Sequence, residues 1–306
     1  MAHLIKLADY VSRYQGEFNQ YVNQFTRKKK EHWYYIKTEW EQSQWRKPDQ
    51  MVMEESSPIN HKKLNPFMKK LKKLTHFIQQ QTTTDLDPKE ASENQLQRKR
   101  EEFLDLMFES QMTWASSSLG ERSNLDSFYF GDKHLKSFCT RIPDNFFLLY
   151  HPTFFVKNAE VEMEVIVISP SEIYCVTILE GENLSVFEAS SERFWIEYIH
   201  QKQQKRLSPL LSLSRMSNVI QYILKKEQLS FPIRKVVLSP ESMIDNKLQG
   251  STVEFVDKRN YKQWMDKLTK TSSPIKRTQC DLALILLSYC QTKIVENGDE
   301  VEEFHE

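Results

Sequence analysis

The chain has 306 residues, of which 39% are hydrophobic, and its 42 Lys or Arg residues are balanced by 42 Asp or Glu. This length and hydrophobic content allow a substantial core and predict two structural units. The balanced charge excludes a protein whose overall charge draws it onto nucleic acid. Residues 1–100 nevertheless carry 19 Lys or Arg against 12 Asp or Glu, so the first part of the chain is basic and the rest is mildly acidic.

Neither a targeting segment nor a membrane span is indicated by the sequence. The opening residues are too polar for a signal peptide. The longest apolar run, from Leu282 to Leu287, is far shorter than the ~20 residues that cross a bilayer. The four cysteines form no Cys-x-x-Cys pair and are expected to be buried, reduced thiols. We therefore expect a cytoplasmic protein without a membrane span.

The first part of the chain has the pattern of helices. Apolar residues recur at helical spacing from residue 5 to about residue 45, and a short basic helix is predicted over residues 65–78. A third, amphipathic helix follows Asp87-Pro88, which is typical of an N-cap and a first turn. We therefore predict that residues 1–118 form an all-α helical N-terminal module.

Two basic clusters lie in this predicted module. The first contains Arg27, Lys28, Lys29 and Lys30, and the second contains Lys69, Lys70, Lys72 and Lys73. A run of charge on a helix is usually a solvated face. The alternative is a surface that contacts phosphate groups weakly and in a salt-sensitive manner. These eight residues are the candidate nucleic-acid-binding residues.

Strands and helices alternate from residue 125 onward. The predicted elements are a helix at 131–141, a strand at 145–151, a hairpin at 160–180, a helix at 209–226, strands at 233–238 and 253–256, and a helix at 258–270. This alternation predicts an α/β domain over residues 125–275. A C-terminal helix and an acidic tail are predicted for residues 276–306.

The predicted hairpin is the most informative segment. Glu160, Glu162 and Glu164 fall on one face of its first strand, and the strand then becomes apolar on both faces, as in a buried sheet. The short connection Ser169–Glu172 leads to the second strand. The simplest interpretation of the three glutamates is a solvated strand face.

Residues 131–268, with these elements in this order, resemble a nuclease-related domain (NERD), a branch of the PD-(D/E)XK restriction-endonuclease-like superfamily. The resemblance is carried by Gly131-Asp132 at a helix start, the segment from Ile142 to Phe147, the hairpin, Trp195, and Ser208-Pro209-Leu210 at a second helix start. It implies a mixed-sheet restriction-endonuclease-like domain after the helical module. It also implies that the first helix packs beside the hairpin, so that Asp132 and Glu164 share one cleft.

The resemblance further implies where catalytic groups would lie. Asp132 corresponds to the helix acid of the family and Glu164 to its strand acid. The second acid is replaced by Thr177, the lysine by Leu179, and the helix glutamine by Ser212. In such enzymes carboxylates hold Mg²⁺ and the lysine orients the attacking water, which leucine cannot do. We therefore expect a degenerate site without intact catalytic residues, metal or cofactor; Asp132 and Glu164 are the residual metal candidates.

Three functions stay open. The first is a pseudoenzyme, a non-catalytic nuclease-related domain protein that binds nucleic acid weakly or binds a protein partner. The second is a metal-dependent nuclease that uses Mg²⁺ and a relocated lysine, with donors drawn from Glu180, Glu182, Lys202, Lys205 and Arg206. The third is a protein-interaction scaffold that binds no nucleic acid. The simplest interpretation of Lys202, Lys205 and Arg206 is that they are surface charges.

Overall fold

The computed structural model describes residues 1–45, 88–118, 125–182, 184–200, 202–248 and 252–292. The fold is mixed α/β, with a long helix near the N-terminus and a multi-stranded mixed sheet. The contacts divide the chain into two units, one formed by residues 1–28 and 106–306 and the other by residues 29–105. Within the described ranges, no helix is both long enough and apolar enough to cross a membrane.

The helices and strands have the following bounds. The helices are α1 (Phe18–Trp45), α2 (Pro88–Ala115), α3 (Phe128–Gly131), α4 (Lys133–Arg141), α5 (Pro209–Lys226), α6 (Tyr261–Thr269) and α7 (Arg277–Tyr289). The strands are β1 (His3–Leu7), β2 (Phe147–Tyr150), β3 (Thr153–Val156), β4 (Ala159–Glu162), β5 (Val165–Ile168), β6 (Ile173–Ile178), β7 (Val186–Ala189), β8 (Phe194–Ile199), β9 (Lys202–Leu207), β10 (Ile233–Ser239), β11 (Met243–Asn246) and β12 (Val253–Asp257).

Six strands form the main sheet, in the order β1-β2-β5-β6-β10-β12. Strands β2, β5 and β6 are antiparallel neighbours, whereas β1 is parallel to β2 and β10 is parallel to both β6 and β12. All four residues of β5, Val-Ile-Val-Ile, are fully buried. Such a strand is apolar on both faces because helices cover the sheet from both sides.

The two faces of this sheet pack against different helices. One face shares a core cluster with α4, α6 and the end of α2, and that cluster includes Tyr150, Val165 and Val176. Helix α5 contacts β6 and β10, and its buried residues lie outside this cluster. The start of α1 also reaches the sheet, with the Phe18 ring centroid 5.1 Å from that of Phe147.

A second sheet has four strands, in the order β11-β7-β8-β9. Trp195 of β8 is fully buried, and its ring centroid lies 6.0 Å from that of Phe255 in β12. Its indole nitrogen donates a hydrogen bond to the Ser190 carbonyl. Strand β9, in contrast, exposes all six of its residues.

The predicted helical module is wrong at its N-terminus. Residues 3–7 form β1, which pairs with β2, and Tyr14 lies in a short 3-10 turn instead of a helix. A short apolar run does not distinguish a strand from a helix by periodicity alone, and here pairing with β2 decides the outcome. Helix α2 protects the strand, because Gln111 accepts a hydrogen bond from the backbone amide of Leu4 (2.6 Å).

The unit of residues 29–105 is helical where it is described. The ring centroids of Trp33 and Phe103 lie 5.4 Å apart, and Gln44 and Gln95 are hydrogen-bonded. The predicted helix at 65–78, which carries the second basic cluster, lies outside the described residues, as does the predicted acidic tail over 296–306.

Candidate functional site

Asp132 lies at the start of helix α4, as predicted, and is the N-cap of that helix. Its Oδ1 accepts hydrogen bonds from the backbone amides of His134 (2.8 Å) and Leu135 (3.0 Å). Its Oδ2 accepts a hydrogen bond from the Tyr150 hydroxyl (2.6 Å). Burial, together with this hydrogen bond, raises the pKa of Tyr150. The carboxylate therefore stabilises the helix start and links α4 to β2.

Glu164 lies between β4 and β5 and is half-buried. Its Oε2 accepts a hydrogen bond from the backbone amide of Ile178 (3.1 Å). Burial raises the pKa of Glu164, although the nearby hydroxyls of Ser212 and Thr177 and the Ile178 amide act in the opposite direction. The buried Thr177 hydroxyl lies near this carboxylate but its geometry falls short of a hydrogen bond. The polar groups closest to the Glu164 carboxylate are thus neutral, and the charge of Arg215 in α5 also acts to lower its pKa.

The interpretation of three glutamates on one solvated strand face is wrong for Glu164. Glu160 and Glu162 belong to β4, are exposed, and pair with β3 in a separate hairpin. Glu164 follows a break in the chain direction and turns inward toward α5. Periodicity cannot detect this break, because alternation continues through the sequence while the backbone leaves the strand.

The two retained acids do not converge, contrary to what the resemblance implies. Asp132 accepts a hydrogen bond from Tyr150, whose side chain belongs to the core cluster on the α4 face of the sheet. Glu164 approaches Thr177 and Ser212 on the face that α5 covers. Val165 and Val176, the sequence neighbours of Glu164 and Thr177, lie on the α4 face, as strand alternation requires. The sheet therefore separates the two carboxylates.

Leu179 and Asp132 line a different cleft of about 320 Å³, at the carboxyl ends of β6 and β10. Its walls are formed by Phe128, Gly131, Asp132, Lys133, His134, Leu179, Glu180, Gly181, Pro240 and Glu241. Across this cleft, Nε2 of His134 lies 3.5 Å from Oε1 of Glu180. The contact with α4 places Glu180 on the face opposite to Thr177, as period-two geometry predicts.

The basic residues considered as relocated donors belong to the four-stranded sheet. Lys202, Lys205 and Arg206 are all in β9. Arg206 Nε donates a hydrogen bond to Oε2 of Glu197 (2.6 Å), a fully buried carboxylate of β8. The cation whose charge acts on Glu164 is instead Arg215 of α5.

The first basic cluster is only partly a surface feature. Arg27 and Lys30 are exposed. Lys28, however, donates a hydrogen bond to the Ser110 hydroxyl (3.2 Å), and its ammonium lies 5.7 Å from the Trp114 ring centroid. Burial, and then the nearby charge of Arg13, lowers the pKa of Lys28. Lys28 therefore contributes to packing between α1 and α2.

Two residues that shape these sites were missed at the sequence level. Tyr150 resembles any other apolar strand residue, and nothing in its spacing indicates a bond to Asp132. Glu197 could have been found, because a single acid within Phe-Trp-Ile-Glu-Tyr-Ile is a candidate buried charge. Among the described residues, no group of three or more His, Cys, Asp or Glu side chains is arranged to hold a metal ion.

Comparison of the chain with protein-family models, with curated proteins and with solved structures finds no match.

Proposed function

We propose that this protein is a non-catalytic nuclease-related domain protein, with a restriction-endonuclease-like scaffold that binds nucleic acid or a protein partner without cleaving it. One observation carries the proposal. The Glu164 carboxylate accepts a hydrogen bond from the Ile178 amide and faces Thr177 and Ser212. According to the resemblance, a second carboxylate and a glutamine would stand at those two positions.

The arrangement of elements supports the scaffold part of the proposal. Helix α4, strand β2, the β5–β6 hairpin and helix α5 follow one another in the order that the resemblance implies, and β10 then pairs in parallel with β6. A scaffold alone does not define an activity, because unrelated functions occur on the same fold. The proposal therefore rests on the chemistry around Glu164.

That chemistry disfavours a hard divalent cation. Mg²⁺ prefers several carboxylate oxygens, and a threonine hydroxyl is a weak substitute. The raised pKa of Glu164 further weakens metal binding, because a carboxylate must lose its proton before it can coordinate a metal. Leu179 has no group that could orient or activate water.

The test of non-catalysis is an incubation of the purified full-length chain with duplex DNA, single-stranded DNA and RNA in the presence of Mg²⁺ or Mn²⁺. We expect no cleavage by the unmodified protein. Glu164→Gln is the informative variant, and Glu160→Gln, at an exposed position of β4, is its matched control. Metal-dependent cleavage that disappears in Glu164→Gln and persists in Glu160→Gln would disprove the proposal.

Nucleic-acid binding, where it occurs, is expected to involve the exposed part of the first basic cluster. The full chain must be used, because a fragment that ends near residue 120 would separate β1 from β2. We expect weak oligonucleotide binding that decreases steeply with salt and decreases further in Arg27→Gln/Lys30→Gln. Binding that is insensitive to both salt and this double substitution would contradict the assignment.

A further inference from the structure

Strand β9 leaves one edge of the four-stranded sheet open. It pairs with β8 over six residues in an uninterrupted antiparallel register, from Phe194↔Leu207 to Ile199↔Lys202. No strand of the described chain pairs with its other edge. The β1 edge of the larger sheet is different, because Gln111 of α2 accepts a hydrogen bond from Leu4 there. Long regular edges are readily extended by another chain unless they are blocked.

The backbone groups that face this open edge can be identified. The amide of Ser208 donates a hydrogen bond to the carbonyl of Arg193 (2.9 Å), directly beyond the Phe194↔Leu207 pair. Hydrogen-bonded and non-hydrogen-bonded pairs alternate in an antiparallel ladder. Gln203, Lys205 and Leu207 therefore occupy non-hydrogen-bonded positions and direct their N–H and C=O groups outward. These three residues offer the spacing that an added strand requires.

The side chains at this edge indicate what kind of strand would fit. Leu207 and Phe194 lie opposite each other, with 58% and 45% of their surfaces exposed, so the end of the edge is apolar. Lys202 and Lys205 are exposed and form no ion pair with any residue in the described ranges. Arg206 is partly neutralised by Glu197. The edge is thus basic along its length, with an apolar end.

This charge disfavours a second copy of the same strand. Antiparallel pairing of β9 with itself would bring Lys202 and Lys205 close to basic residues of the other copy, and like charges on neighbouring strands are destabilising. An acidic strand would instead gain favourable cross-strand pairs, and main-chain hydrogen bonds would supply affinity.

We propose that β9 binds an extended acidic segment of a partner protein by strand addition, with an apolar residue of that segment against Phe194 and Leu207. This inference rests on the proposed function only in taking the chain to be a binding protein. It involves none of the residues around Glu164, so the cleavage assay and the binding assay fail independently.

The probe is a fluorescently labelled eight-residue peptide of alternating glutamate and valine, titrated with the full-length chain and followed by anisotropy. We expect saturable binding that weakens about fivefold in Lys202→Glu/Lys205→Glu. The glutamates of the extended peptide would share the face of Lys202 and its valines the face of Leu207, so one favourable charge pair becomes repulsive. Lys262→Glu, at an exposed position of α6, is the matched control and should bind as the unmodified protein does. Unchanged binding by the double variant would overturn the proposal.

Two further arms separate strand addition from simple charge attraction. A peptide of the same sequence with alternate backbone amides methylated keeps its charge and loses its hydrogen-bond donors, so its binding should be largely lost. Lys205→Pro should also abolish binding, since it removes an outward N–H without removing a bond to β8. Equal binding of the methylated peptide, or displacement of the probe by oligothymidylate but not by unlabelled peptide, would overturn the proposal.

Discussion

The two sheets of the larger unit are stabilised in different ways. In the six-stranded sheet, β5 is apolar and fully buried because helices pack on both faces. In the four-stranded sheet, β9 reads Lys-Gln-Gln-Lys-Arg-Leu and is exposed throughout. The first sheet is held together by burial of apolar side chains, and the second by its hydrogen-bond ladder and a few anchors such as Trp195. How clearly a strand can be recognised from its sequence therefore depends on how much of it is buried between the layers of the fold.

A buried charged side chain occurs in each sheet, Lys6 in the six-stranded sheet and Glu197 in the four-stranded sheet, and these two charges are accommodated differently. Lys6 of β1 donates hydrogen bonds to the Tyr10 carbonyl (2.6 Å) and to the side chains of Thr292 (3.0 Å) and Gln15 (3.3 Å). These acceptors are neutral. Glu197 of β8 instead faces the cation of Arg206.

The largest expected difference concerns packing. Ile166→Ala in β5 should lower the free energy of unfolding by about 2–5 kcal/mol, because it leaves a cavity in a fully buried layer. Lys205→Ala in β9 should change it by no more than about 0.5 kcal/mol. Urea unfolding followed by circular dichroism measures both. A β9 variant as destabilised as the β5 variant would show that the second sheet is integral to the core.

The second prediction concerns Lys6. Burial lowers the pKa of Lys6 from 10.5 to about 8. Between these two pH values the unfolded chain holds the proton and the folded chain does not, so this group makes stability rise with pH in that window. The contribution is at most about 3 kcal/mol.

Lys6→Met should remove this rise while leaving the other titrations unchanged. Unfolding free energies of both proteins, measured from pH 7 to pH 10.5, isolate the effect as a difference between two curves. Parallel curves would show that Lys6 keeps its charge in the folded protein over this range.

The smallest expected effect concerns Arg206. Burial raises the pKa of Glu197, but the hydrogen bonds from Arg206 and Gln204 outweigh it, and the net pKa is lowered. A depressed carboxyl pKa stabilises the fold above the ordinary pKa and loses that effect as the pH falls through the folded value. Arg206→Leu should therefore cost about 1–3 kcal/mol at pH 7 and less in acid.

Arg234→Leu is the control for that measurement. The Arg234 side chain is 62% exposed and pairs with Glu172, so its removal should cost less than about 1 kcal/mol. Equal losses in the two variants at pH 7 would mean that burial of Glu197 adds nothing to its ion pair.

Much of the six-stranded sheet was predictable because its pattern is strong and local. The helix predicted at 209–226 is α5, with its bounds unchanged, and the β5–β6 hairpin turns through Ser169–Glu172 as predicted. Strand β9 was missed because it buries nothing and therefore shows no periodicity. Strand β1 was missed because its partner, β2, is distant in the chain and no local signal indicates the pairing.

In the candidate site too, the local features were predictable from the sequence and the features that depend on tertiary packing were not. The capping role of Asp132 follows from local sequence, because a short acid before a helix accepts hydrogen bonds from the first turn. The placement of Glu164 beside Ser212 depends on how α5 packs across the sheet, which residue spacing does not encode. That Asp132 and Glu164 lie on opposite faces of the sheet could be learned only from the three-dimensional structure.

The parallel pairing of β1 with β2 has a consequence for how the protein is made. His3 pairs with Phe147, roughly 140 residues later in the chain. At about 5–20 residues per second, a ribosome needs on the order of ten seconds to synthesise the intervening segment. During that interval β1 has no strand to pair with, and the six-stranded sheet cannot be completed. Strand β1 must therefore stay unpaired until β2 has been synthesised, although it precedes every other strand of this sheet in the chain.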